Sequence, residues 1–84
     1  MKFTVNWLPA SESELAELWL NAPGRDAVSR AAHIIDQLLE SNPEEVGESR
    51  PEGRRIAFVS PLGVLFRLKT ASVVEVLHVW RFER

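Results

Sequence analysis

Seven of the ten cationic side chains in this sequence lie after residue 46, and six of those seven are arginine: Arg50, Arg54, Arg55, Arg67, Arg81 and Arg84, joined by Lys69. A guanidinium group is planar, always charged and donates through a fork, which matches phosphate and carboxylate oxygens. Three of the arginines fall in Gly47-Glu-Ser-Arg-Pro-Glu-Gly-Arg-Arg55. The glycines and the proline there let the backbone turn and hold the turn. An arginine-rich loop feeding a sheet points to a phosphate backbone or an acidic partner. A solvated charged loop is the plain alternative.

The charge is unevenly spread. Residues 1–46 carry eight acids against three bases, net −5, and residues 47–84 carry four acids against seven bases, net +3, within an overall charge of −2. A uniform solvating shell does not need such a bias, whereas an anion-recognising surface gains from it. His78 is the one imidazole placed to act as acid or base. Packing among its neighbours is the simpler reading. His33, beside Arg30 and Gln37 on the polar side of a helix, reads as solvated. Arg67 can pair with Glu75 across a hairpin as readily as it can meet a target. Trp7, Trp19 and Trp80 read as core before base-stacking platforms. There is no tyrosine and no cysteine. Disulfides and thiolate metal sites are therefore excluded. No helix has His/Glu metal spacing and no Gly-rich phosphate loop is present, so no cofactor, metal or small-molecule ligand is expected.

These residues must be positioned by a small frame. The length of 84 residues predicts a single domain over 1–84 with a simple core. Hydrophobic content of 45% and charged content of 26% are ordinary for a soluble domain. No apolar run reaches the roughly 18 residues that span a bilayer, and Met1-Lys-Phe-Thr-Val does not read as a signal peptide. Phe3 to Trp7 alternates as a short strand ended by Pro9. Ser11-Glu-Ser-Glu14 reads as a capping box, followed by Leu15, Leu18, Trp19 and Ala22 at helical spacing. Asn21-Ala-Pro-Gly24 breaks that helix. A second helix is expected from about Asp26 to Ser41, with Val28, Ala31, Ala32, Ile35, Leu38 and Leu39 as its apolar stripe. Asn42-Pro43 closes it.

The remainder reads as β: Arg55 to Ser60, a turn at Pro61-Leu-Gly63, Val64 to Thr70, a turn at Ala71-Ser72, and Val73 to Phe82. Short connections make this an antiparallel meander. The helical hairpin can cover one face, giving an α+β fold of two layers in the order β-α-α-β-β-β. Simple alternation puts Val74, Val76, His78, Trp80 and Phe82 on one face of the last strand. Val73, Glu75, Leu77, Val79 and Arg81 fall on the other. Both faces are partly apolar, which suggests a central strand or a surface that a second chain covers.

The order of these elements resembles the RelE/ParE superfamily of bacterial type II toxins over nearly the whole chain. Val5-Asn-Trp7, Ala10 and Glu14-Leu-Ala-Glu-Leu-Trp19 resemble that family's first strand and helix. Ala31-Ala32, Ile34-Ile-Asp-Gln-Leu-Leu39 and Asn42-Pro43 are similar to its second helix. Gly47-x-x-Arg50-x-x-Gly53-x-Arg55 is the strongest match and looks like the ParE-type loop. Leu65-Phe-Arg-Leu68 and Val74-x-Val-Leu-His-Val-Trp-Arg81 are similar to the last two strands.

The resemblance implies a small cytoplasmic toxin of the plasmid-stabilisation type, which inhibits growth and is held inactive by a cognate antitoxin. It implies one of two actions. A ParE-like toxin binds and poisons DNA gyrase, and its target would meet Arg50, Arg55, Arg67 and Arg81. A RelE-like toxin cuts messenger RNA on the ribosome as a metal-independent endoribonuclease, which here would use Arg50, Arg54, Arg55 and Arg81, with His78 as a weaker candidate. A repurposed member that only binds a protein partner is the third alternative. Gly63 stands where the RelE branch has an arginine, and the missing tyrosine removes a phenolic acid. Both favour the ParE-like or the repurposed reading over the ribonuclease, and the Gly47-x-x-Arg50-x-x-Gly53-x-Arg55 loop favours the ParE-like one. Arg50 with Arg55 is the firmer pair, because antiparallel topology sends Arg81 to the other end of the sheet.

Overall fold

The computed structural model describes residues 2–21 and 23–82. Strand β1 (Thr4–Trp7) leads into helix α1 (Pro9–Asn21), and helix α2 (Arg25–Ser41) follows. Strands β2 (Glu48–Arg50), β3 (Arg54–Val59), β4 (Leu62–Leu68) and β5 (Val73–Arg81) complete the chain, with a one-turn 3-10 segment at Pro51–Gly53. The sheet order is β1-β5-β4-β3-β2. Among the described residues only β1 and β5 pair in parallel, with Thr4 beside Val73 and Trp7 beside Val76. The expected two-layer α+β arrangement is present. The sheet has one strand more than expected, because Glu48–Arg50 adds an edge to β3.

The core lies between the helices and one face of the sheet. Along α2, Val28, Ala31, Ile35 and Leu39 are buried at spacings of three and four residues, the stripe of an amphipathic helix. They meet Leu62, Val64 and Phe66 of β4 and Val74, Val76 and Val79 of β5. Leu15 and Leu18 of α1 pack against this cluster, whereas Trp19 and Leu38 are exposed. Ala22 lies outside the described residues. Trp7 packs on the core and donates its indole N–H to Asp36 at 2.7 Å.

Three local expectations change. Helix α1 starts at Pro9, where a missing N–H costs nothing, so Ser11 is inside the helix and caps nothing. Ser11 is fully buried and shares its one hydroxyl proton between the carbonyls of Leu8 and Val76, at 2.9 and 2.8 Å. The β3–β4 turn is only Ser60-Pro61, since Leu62 and Gly63 already pair with Val59 and Phe58. Finally, β5 carries a bulge. Leu65 pairs with His78 and Phe66 with Val76, which leaves Leu77 as an extra residue. The alternation reverses there. Val74, Val76 and Val79 share the buried face, and His78 turns out to the open one.

Candidate functional site on the open face of the sheet

The face turned away from α2 is organised in cross-strand rows, because residues directly opposite on neighbouring strands point the same way. One row runs Arg50, Arg54, Arg67, Glu75 from β2 to β5. The next holds Ile56, Leu65 and His78. The third holds Phe58, Gly63 and Trp80. The open face thus carries a guanidinium row near one end and an aromatic group near the other.

The basic row is partly neutralised from within. Glu75 is buried, with its side chain only 8% exposed, and accepts from Arg67 Nε and Nη2 at 2.9 and 2.8 Å. Lys69 Nζ stands 3.6 Å from its other oxygen. The hydrogen bond from Arg67 holds the Glu75 carboxyl below its ordinary value, against the opposing pull of burial, with the charges of Lys69 and Arg67 assisting. The Arg67–Glu75 pairing expected across the hairpin is therefore present. Arg54 stands 3.8 Å from Glu52, and Arg50 pairs with Glu48 at 3.1 Å; both carboxylates are well exposed. Such pairs contribute little and open readily.

Arg55, next in sequence to Arg54, points the opposite way. Its Nε donates to the Val46 carbonyl at 2.9 Å, Nη2 to the Gly47 carbonyl at 3.0 Å and Nη1 to the Ser49 hydroxyl at 2.9 Å. One guanidinium therefore ties down the entry to β2. Gly47 makes that entry possible: its φ is +72°, and a Cβ there would collide with the Ile56 carbonyl. Arg50 and Arg55, expected as a pair, lie on opposite faces, because a strand alternates and their partners are Arg54 and Ser49. Arg81 stands beside Leu62 at the far end, where it lines a depression with Glu14, Glu17, Leu18 and Trp80. Among the described residues the arginines do not form one cluster.

The aromatic end was not anticipated. The Trp80 indole covers Gly63 so closely that a Cβ there would lie 2.6 Å from the ring. Phe58, 55% exposed, meets Trp80 edge-on with ring centres 6.2 Å apart and Phe82 at 4.7 Å. The residue that departs from the RelE pattern is thus the one on which an indole rests. Glu14 was also missed. Its carboxylate accepts the Val79 N–H at 3.1 Å and faces His78 Nδ1 at 3.2 Å, so α1 covers the stretch of β5 that β1 is too short to pair. No sequence signal marks a helix carboxylate for this duty other than its place on the inner side of α1. His78 is exposed, contrary to the packed reading, and Trp19 is exposed with Arg25 over its ring at 4.7 Å. His33 is exposed as expected.

Among the described residues no three His, Asp or Glu side chains gather as metal ligands would, and no helix is long and apolar enough to cross a membrane.

No family model matches this sequence, and no curated protein does. Solved structures do. A chain of the chromosomal ParDE toxin–antitoxin system of Pseudomonas aeruginosa is 20% identical over 98% of each chain, with a TM-score of 0.70. A chain of the RelBE2 toxin–antitoxin complex of Mycobacterium tuberculosis is 21% identical over 96% of this chain and 99% of that one, with a TM-score of 0.76. TrmO of Pseudomonas aeruginosa matches with 35% of its length, at 20% identity over 94% of this chain and a TM-score of 0.68. The fold is the one that the resemblance to RelE/ParE toxins implies. At these identities the likeness speaks for the fold alone, and a fold can host several functions.

Proposed function

We propose that this chain, which has the fold of the RelE/ParE toxins, is the toxin of a type II toxin–antitoxin pair and acts in the ParE manner. It binds and poisons an essential target such as DNA gyrase in the cytoplasm, and a cognate antitoxin neutralises it. The observation that carries this reading is the Phe58–Gly63–Trp80 row. Where the RelE branch has a charge for the crowded phosphate, this chain has an indole lying over a glycine. An exposed aromatic group next to a depression lined by Trp80 and Arg81 has the composition of a protein-binding hot spot, where binding energy concentrates in a few such side chains. Poisoning by binding asks for such a surface and for no proton transfer.

Expression of this chain alone in a bacterium is expected to arrest growth and to induce the DNA-damage response with gyrase-trapped breaks. The small gene product encoded next to it is expected to restore growth. Unimpaired growth at high soluble expression would sink the toxin reading and leave a repurposed partner-binding domain. One observation favours the RelE-like reading instead: Arg50, Arg54 and Arg67 stand in register on the open face, where they could meet a phosphate backbone. Mapping RNA ends on translating ribosomes separates the two. Codon-phased cuts that vanish in Arg54→Ala would establish the ribonuclease.

A further inference from the structure

A depression of about 370 Å3 lies between the C-terminal half of α1 and the end of β5. Glu14, Glu17, Leu18 and Asn21 recur at spacings of three and four residues, so one face of α1 forms its first wall. Val79, Trp80 and Arg81 form the other. Leu18, Val79 and Trp80 give it apolar surface beside charges of opposite sign, a cation on the strand and carboxylates on the helix. A volume of this size, with apolar surface and a few convergent polar groups, has the marks of a small-molecule site.

The two carboxylates are not equivalent. Glu14 is already committed: Oε1 accepts the Val79 N–H at 3.1 Å, and both oxygens lie 3.2 Å from His78 Nδ1. Glu17 is exposed and is the carboxylate left for a ligand cation. The end of α1 adds to its pull. The last carbonyls of a helix lack intrahelical partners and carry partial negative charge. That last turn, residues 18–21, holds no basic side chain, and Arg25 of α2 reaches across to the Leu20 carbonyl at 3.5 Å. This end of the helix thus already draws in a cation. On the strand side, Arg81 is half-buried beside Leu62. A guanidinium has five N–H donors, so Arg81 can keep its present contact and still take a ligand carboxylate.

We propose that this depression binds a free α-amino acid with an apolar side chain. The carboxylate of the ligand meets Arg81, its ammonium meets Glu17 and the carbonyl end of α1, and its side chain lies against Leu18, Val79 and Trp80. A free amino acid carries both charges on one carbon, which a residue inside a peptide chain does not. Binding of this kind requires neither gyrase nor antitoxin and so goes beyond the toxin reading. A bound amino acid would cover part of the surface which that reading gives to the target.

The test is a titration of the isotope-labelled full chain, followed through the Trp80 indole N–H, the Asn21 side-chain amide and the Val79 backbone amide. The probes are L-leucine and L-phenylalanine, each with its amide, which keeps only the positive charge, and its N-acetyl form, which keeps only the negative one. A saturable shift of these signals is expected with at least one of the two amino acids. Each blocked form should bind about tenfold more weakly or worse, since one charge-assisted contact is lost. Glu17→Gln should weaken the amino acid by about tenfold as well and leave the N-acetyl form unchanged. Arg81→Gln should do the reverse, weakening the amino acid and sparing the amide. Where Arg81→Gln fails to fold, the exposed Glu17 still carries the test. No saturable shift with either amino acid up to about 20 mM, well above the dissociation constant of about 1 mM of a weak specific site, would overturn the proposal. So would a blocked form that binds as tightly as its parent, which marks a simple anion or cation site, or an unchanged affinity in Glu17→Gln.

Discussion

Arg55→Ala is expected to destabilise the domain rather than to silence a binding surface. The guanidinium makes three hydrogen bonds, to Val46, Gly47 and Ser49, all within 3.0 Å. A hydrogen bond contributes a net of about 0.5–1.5 kcal/mol, more from a charged donor and less where water competes. The bond to Val46 is partly buried and the other two are exposed, so the sum falls at about 2 kcal/mol. In a domain of this size about 1 kcal/mol moves the midpoint by 4–8 °C, which places the Arg55→Ala shift at about 8–16 °C downward. Arg55→Lys should recover only part of it, because an ammonium cannot serve three acceptors arranged around a planar fork. Arg50→Ala is the control: its pair with Glu48 is exposed at both ends, and a change within about 0.5 kcal/mol is expected. Thermal unfolding followed by circular dichroism gives the midpoints, and amide exchange at Ser49 and Arg50 reports whether β2 has frayed. The reasoning is refuted if Arg55→Ala melts like the parent chain with β2 still protected.

Gly63→Ala should destabilise the chain by about 1–3 kcal/mol, the usual cost of overpacking, because its Cβ would enter the space of the Trp80 ring. Combining it with Trp80→Ala should remove that penalty, and additive losses in urea unfolding would show that the ring and the glycine are not coupled. Glu75 supplies the pH prediction. Its carboxyl is held below the ordinary value of 4.5 in the folded chain, so its contribution is complete above that value. It is lost as pH falls through the lowered folded value. The stability gap between the parent and Glu75→Gln should therefore be constant above about pH 5 and close on acidification. A gap that widens toward low pH would contradict the assignment.

Much of the frame was legible because its signals are local. The 3- and 4-residue spacing in α2, the Asn42-Pro43 stop and the turn before Val73 all act within a few residues of themselves. What could not be read depends on pairing between distant segments. Ser11 and Glu14 look like a capping box, yet the carbonyl and N–H they serve belong to Val76 and Val79. The bulge at Leu77 has no glycine to announce it, and one extra residue moves His78 from the buried set to the open face. The arginines were recognised as a group, but their faces follow from register. Arg54 and Arg55 are neighbours in sequence, and only the pairing of β2 with β3 says which of them holds a loop and which meets solvent.

The short length of β1 has a consequence for association. A sheet can accept a further strand only along an edge whose N–H and C=O groups are unpaired. On one side β1 ends at Trp7, and the remainder of β5 would be such an edge had the Leu8 N–H and, from α1, Ser11 and Glu14 not closed it. The β1 side is further occupied where the Phe3 N–H reaches the Glu40 carbonyl at 2.8 Å. The other border is β2, three residues long with a glutamate at one end and an arginine at the other. Charge and brevity are the devices by which small sheets resist growing into fibres. A partner that adds a strand at Glu48–Arg50 must first come to terms with those two charges.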